Sequence, residues 1–126
     1  MCEWKFGAAL AAGNCVVHKP SEVTPLTILY IAKFIKEAGF PPGVFNILPG
    51  YGPDAGEALC MSDRIHKVSF TGSTMVGKKV IDYAAKSNLK KVHVELGGKT
   101  PCIIGPDADL DDAAGLAWGA IMYNMG

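Results

Sequence analysis

Several things are missing from this sequence, and each absence removes a class of function. No run approaches the ~20 predominantly apolar residues that a membrane-spanning helix requires. Uncharged stretches such as Phe6 to Val17 and Ala113 to Gly126 fall short of it, so no membrane partner is expected. Met1-Cys2-Glu3-Trp4-Lys5 puts an acid and an aromatic where a signal peptide carries its basic region. There is no Cys-x-x-Cys pair and no cluster of histidines, so ligand spacing gives no metal site. The four cysteines (Cys2, Cys15, Cys60 and Cys102) are widely spaced, and without a secretory leader no disulfide framework is expected. Reduced thiols in a cytosolic-type protein are the default. An excess of either charge is missing too: 12 Lys+Arg stand against 12 Asp+Glu. That balance gives no electrostatic reason to expect nucleic acid or an anionic membrane as the main partner. Internal repeats and low-complexity segments are absent.

What is present is a chain of 126 residues, 49% hydrophobic and 19% charged, which is about one domain with apolar material for a core. Fifteen glycines and eight prolines punctuate it. Residues 4–12 read as a helix stopped by Gly13-Asn14. Cys15 to His18 is a short β-prone run halted by Lys19-Pro20. Over residues 24–38, Ile28, Ile31, Ile35 and Ala38 mark one helical face and Lys33, Lys36 and Glu37 the other. Thr24 is placed as its N-cap, Pro25 at the first helical position and Gly39 as the stop. Then come a strand over Val44–Leu48, a short helix near 54–60, a strand over Lys67–Phe70 and a helix near 74–86. A fourth strand is predicted over Lys91–Val94, Pro101–Ile104 is a candidate fifth, and a last helix over 110–123 starts behind Asp107 and Asp109. Strands alternating with helices predict one α/β domain with a mostly parallel sheet and helices on both faces. Cys15 and Cys102 lie in apolar, strand-like segments and are expected to be buried thiols. His18, His66 and His93 are scattered and read as structural or surface residues.

In open α/β sheets ligands bind outside the carboxyl ends of the strands, and three unusual segments fall there. The first is His18-Lys19-Pro20-Ser21-Glu22. Proline keeps Lys19 extended, so an ammonium and, three positions on, a carboxylate reach the binding edge. Donor and acceptor together suit the vicinal hydroxyls of a ribose, and Glu22 would repel a 2′-phosphate, which favours NAD over NADP. Alone, the segment reads equally as a solvated loop with a surface ion pair.

The second segment is Val68 to Gly77, a strand running through Gly72-Ser73 into a helix, the geometry in which free N–H groups face an anion. Gly72 would let backbone approach a phosphate and Ser73 could donate its hydroxyl. Gly72 to Lys79 also matches G-x-x-x-x-G-K of a P-loop, with Lys79 where that motif needs Ser or Thr. The third is His93-Val94-Glu95-Leu96-Gly97-Gly98-Lys99. A strand-end carboxylate before two glycines can point into a cleft as a general base if partial burial raises its pKa. The plainer alternative pairs Glu95 with Lys99 or Lys91.

Taken in order, these segments resemble the NAD-binding domain of the aldehyde dehydrogenase superfamily, in its retinal- and acetaldehyde-type members. The resemblance runs through Trp4-Lys5, Gly13-Asn14, Lys19 to Glu22, Thr24-Pro25-Leu26, Glu37 to Val44 and Pro49 to Gly52. It continues through Phe70 to Thr74, Glu95 to Lys99 and Asp107 to Asp111. It implies a Rossmann-like fold and places residues 1–126 as part of that domain. By resemblance, Lys19 and Glu22, with Pro20 and Ser21 between them, would hold the adenosine ribose. Gly52 and Pro53 would lie against the adenine with Val76 near it. Gly72 and Ser73 would face the pyrophosphate, and Leu96 and Gly97 would approach the nicotinamide. Glu95 would be the general base that activates water for deacylation. In such enzymes a cysteine thiolate attacks the aldehyde, hydride passes to NAD⁺, and water releases the acid from the thioester.

Tyr123 to Gly126 matches the start of the family's Asn-x-Gly-Gln-x-Cys segment, whose nucleophile would lie three positions past Gly126. The substrate-side domain and the arm that makes these enzymes homo-oligomers would lie outside the chain as well. Alone, the chain is expected to be inactive, to bind NAD weakly and to bare apolar surface. A cytoplasmic enzyme is the expectation, with the mitochondrial matrix as the other compartment. A non-catalytic nucleotide-binding or interaction module is the alternative function.

Overall fold

The computed structural model describes residues 2–123, and the match at Asn124 to Gly126 lies outside them. Among the described residues five α-helices and four strands follow one another: α1 (Glu3–Ala11), β1 (Val16–His18), α2 (Leu26–Glu37), β2 (Phe45–Ile47), α3 (Glu57–Met61), β3 (Lys67–Gly72), α4 (Thr74–Lys86), β4 (Lys91–Leu96) and α5 (Leu110–Met122). A π-helical turn, Gly52–Gly56, leads into α3. The α/β class is as expected and every strand pairing is parallel. The strands form two separate two-stranded sheets, β1 with β2 and β3 with β4, in place of the single sheet predicted. Three-residue strands such as β1 and β2 have few backbone groups with which to join the two ladders.

The helix stops follow from local chemistry. Gly13, at φ 75°, accepts the left-handed turn after α1. Its N–H donates to the Leu10 carbonyl and that of Asn14 to the Ala9 carbonyl, the paired bonds of a Schellman motif. Gly39, at φ 86°, closes α2 in the same way. At the start of α2 the predicted cap is not made: the helix begins at Leu26, Pro25 occupies the N-cap position, and no side chain caps it. Asp109 does cap α5, its Oδ1 accepting from the N–H groups of Asp111 and Asp112 at 3.0 Å each.

Pro101–Ile104 forms no strand; Ile103 is 91% exposed and no neighbouring strand offers it a ladder. Cys102 and Cys15 are exposed rather than buried, because the first shares that open segment and the second precedes β1. The buried thiol is Cys60, whose pKa burial pushes up.

The core is small. Ile28 on α2, Cys60 on α3, and Val80 and Ala84 on α4 are its buried apolar residues. Ile31 and Ile35 are half-buried as the periodicity of α2 predicts, while Ala38 is exposed. The accessible surface is 9660 Å², against the roughly 6,500 Å² of a compact monomer of this mass. Much of the difference is apolar: Leu110, Leu116, Trp118 and Ile121 of α5 are each at least two-thirds exposed. The expected bare patches are therefore present.

Where β3 and β4 meet α4 the packing is tight. Val68, Phe70, Val92, Val94 and Leu96 form the half-buried face of the sheet, and Gly77 brings α4 down onto it. A Cβ at Gly77 would lie 2.5 Å from Leu96 Cδ2 and 2.8 Å from Cδ1. Gly77→Val is therefore expected to destabilise the fold by about 1–3 kcal/mol through overpacking. The check is thermal unfolding beside the unaltered protein, with a lower midpoint for the variant.

Candidate functional site

Lys19 leaves β1 half-buried, and its ammonium has three oxygen neighbours. Nζ donates to the Pro20 carbonyl at 2.7 Å and the Gly50 carbonyl at 2.9 Å, and it faces Glu22 Oε2 at 3.5 Å. The bond to Gly50 ties the end of β1 to the turn after β2. The stem of Lys19 runs along that turn, with a Cβ at Gly56 only 3.7 Å from its Cδ. Lys19, buried Pro20, exposed Ser21 and Glu22, and Gly52 and Pro53 of the turn thus form one assembly. The Glu22 carboxyl is held below its ordinary pKa by a backbone hydrogen bond and, secondarily, by Lys19. The short bonds commit two protons of Lys19 to backbone, leaving the long contact with Glu22 as the one that a ligand hydroxyl can replace.

The second assembly follows from the register of β3 on β4, which pairs Thr71 with Glu95 and Gly72 with Leu96. This brings Gly72, Ser73, Val76, Glu95, Leu96 and Gly97 to one edge. Ser73 is the N-cap of α4, and its Oγ accepts from the Val76 N–H at 3.3 Å. The hydroxyl proton has no acceptor among the described residues, and the amides of Thr74 and Met75 have no carbonyl of their own helix to meet. A Cβ at Gly72 would lie 2.5 Å from the Phe70 ring, so bare backbone is required there. The P-loop reading does not survive: α4 begins at Thr74, and Gly77 and Lys78 lie inside it, leaving no loop to wrap a phosphate.

Along each strand the side chains alternate, so Ser69, Thr71, His93 and Glu95 share the face opposite α4. They line an open cleft of about 260 Å³ together with Trp4 and Lys5 of α1. Lys5 Nζ donates to Thr71 Oγ1 at 2.8 Å. Its charge also reaches His18, whose pKa is lowered first by burial and then by Lys5 and Lys19. A larger hollow, about 320 Å³, lies at the other end of β2 among Ile35, Phe40, Pro41 and Phe45, away from every candidate residue.

Glu95 pairs with neither Lys91 nor Lys99. Its partner is His93, with Nε2 3.2 Å from Oε1, and both side chains are well exposed. The sequence reading also passed over Lys5 and Thr71. Strand alternation could have put Thr71 on the polar face, whereas the approach of α1 leaves no mark in local sequence.

The arrangement offers a polar edge for an extended, anionic ligand and a carboxylate beside it. The aldehyde dehydrogenase family model matches residues 1–126. The chain belongs to the aldehyde dehydrogenase family. Human aldehyde dehydrogenase 1A1 is 59% identical over 126 residues, covering 100% of this chain and 25% of the relative. The crystal structure of gamma-glutamyl-gamma-aminobutyraldehyde dehydrogenase from Burkholderia cenocepacia superposes with TM-score 0.93 and 56% identity, covering 100% of this chain and 26% of that one. An NAD⁺ complex of an aldehyde dehydrogenase from Bacillus cereus gives TM-score 0.91 and 54% identity, over 98% of this chain and 25% of that one. The chain thus spans about a quarter of the length of these aldehyde dehydrogenases.

Proposed function

We propose that this chain is the coenzyme-binding segment of an NAD-dependent aldehyde dehydrogenase that oxidises an aldehyde to a carboxylic acid. The observation that carries the reading is the shared edge of β3 and β4, where the capped start of α4 and the Glu95 carboxylate stand side by side. The residues fit the coenzyme. Gly72 keeps backbone bare where a phosphate would approach, and the free hydroxyl of Ser73 and the first amides of α4 are donors suited to an anion. Glu22, with Lys19 behind it and Pro20 and Ser21 shaping the bend, would take the ribose hydroxyls. Gly52, Pro53 and Val76 would flank the adenine, and Leu96 and Gly97 the nicotinamide side.

When bound, NAD⁺ supplies the hydride acceptor. The chain's own residues bind, orient and move one proton. Glu95 lies on the open cleft face, where its carboxylate can take a proton from water as that water attacks the acyl thioester. The thiolate that forms the thioester is assigned to the polypeptide beyond this segment, as are the substrate pocket and the contacts of a homo-oligomer. Four free thiols suit a reducing compartment, so the cytoplasm is the proposed location.

The test is the full-length polypeptide with NAD⁺ and acetaldehyde, read by the absorbance of NADH. Aldehyde-dependent reduction is expected, with NAD⁺ preferred over NADP⁺ by at least about tenfold in kcat/KM, because a 2′-phosphate would meet the Glu22 carboxylate. NAD⁺ binding with no oxidation of any aldehyde would favour the non-catalytic nucleotide-binding module.

A further inference from the structure

Among the described residues Glu95 has one side-chain ion partner, and it comes from its own strand: His93 Nε2 lies 3.2 Å from Oε1. The two are separated by one residue, so they stand on the same face of β4. Across the ladder Ser69 is the register partner of His93 and Thr71 that of Glu95. From α1 Lys5 reaches the same cleft, where its Nζ donates to Thr71 Oγ1 at 2.8 Å. Of these groups the imidazole is the one that stands within ion-pair distance of the carboxylate among the described residues. A glutamate on an open face otherwise spreads over several rotamers, and a reacting group that is misplaced acts slowly.

We propose that His93 is a positioning residue for Glu95: its Nε2–H holds Oε1, so that Oε2 is presented to the attacking water. This rests on the reading of Glu95 given under Proposed function. In that step a water O–H bond breaks, the proton goes to Oε2 and the water oxygen bonds to the acyl carbon. The C–S bond then breaks with its electron pair on sulfur, giving the carboxylic acid and the thiolate.

The experiment uses the full-length polypeptide and p-nitrophenyl acetate, an activated ester that acylates a reactive thiolate without coenzyme. The initial burst of p-nitrophenolate reports acylation and the steady phase reports hydrolysis of the thioester. His93→Ala is expected to slow the steady phase about tenfold with the burst amplitude intact. His93→Gln, which keeps an N–H donor, is expected to recover most of the loss. Three results would overturn the proposal: a steady phase unchanged in His93→Ala, a His93→Gln variant as slow as His93→Ala, or burst and steady phase falling together. A wild-type protein that shows no burst would remove the reading of the enzyme itself, and the proposal with it, before any variant is made.

Discussion

Glu95→Gln is expected to slow steady-state aldehyde oxidation by the full-length polypeptide by about 10²- to 10⁴-fold, the usual contribution of a positioned general base. Glutamine keeps the shape of the side chain and an oxygen that can accept from His93, but its neutral amide cannot take a proton from water at neutral pH. The loss should therefore fall on turnover and spare the first hydride transfer. Rapid mixing with NAD⁺ and acetaldehyde should show close to one NADH per active site in the burst, followed by an almost flat phase. A steady rate close to that of wild type would mean that another group deprotonates the water. Loss of the burst as well would mean that the variant disturbs binding or acylation, because the amide removes no group that either step needs.

The second large effect concerns Lys19. Its ammonium donates to the Pro20 and Gly50 carbonyls and faces Glu22, tying the end of β1 to the turn that holds Gly52 and Pro53. Lys19→Met keeps the apolar stem along Gly56 but removes the donors. Hydrogen bonds from a charged donor contribute ~1.5–3 kcal/mol each, and the half-exposed position lets water replace part of that. The dissociation constant for NAD⁺ is expected to rise about 10- to 100-fold, with kcat little changed once coenzyme is saturating. Calorimetric titration checks the first and saturation kinetics the second. Unchanged affinity would show that the tie between strand and turn does not shape the ribose site.

Much of this was legible in the sequence where the cause is local. Gly13-Asn14 and Gly39 stop helices because only certain residues accept a left-handed turn, and Asp109 starts α5 because its carboxylate meets orphan amides. What depends on distant partners was not legible. Pro101–Ile104 has the composition of a strand but finds no ladder, and the apolar run around Cys15 does not make that thiol buried. Thr24 looks like a cap, but its side chain caps no amide of α2, and Pro25 takes the N-cap position. The two-sheet arrangement and the arrival of Lys5 at Thr71 are long-range outcomes, and no short motif encodes them. At the candidate site the residues at strand ends were picked out by position and by resemblance, while His93 was read as structural or surface because a scattered histidine carries no pattern.

The open apolar side chains of α5 bear on how natural variation in this segment should be interpreted. Trp118 and Leu116 make little contact within the segment, so a tally of its internal contacts would grade Trp118→Arg as harmless. Yet exposed apolar area on this scale marks either an association surface or an aggregation hazard. A charged replacement there would alter whichever of the two obtains, so its harm would surface in assembly or solubility while the local geometry stayed intact.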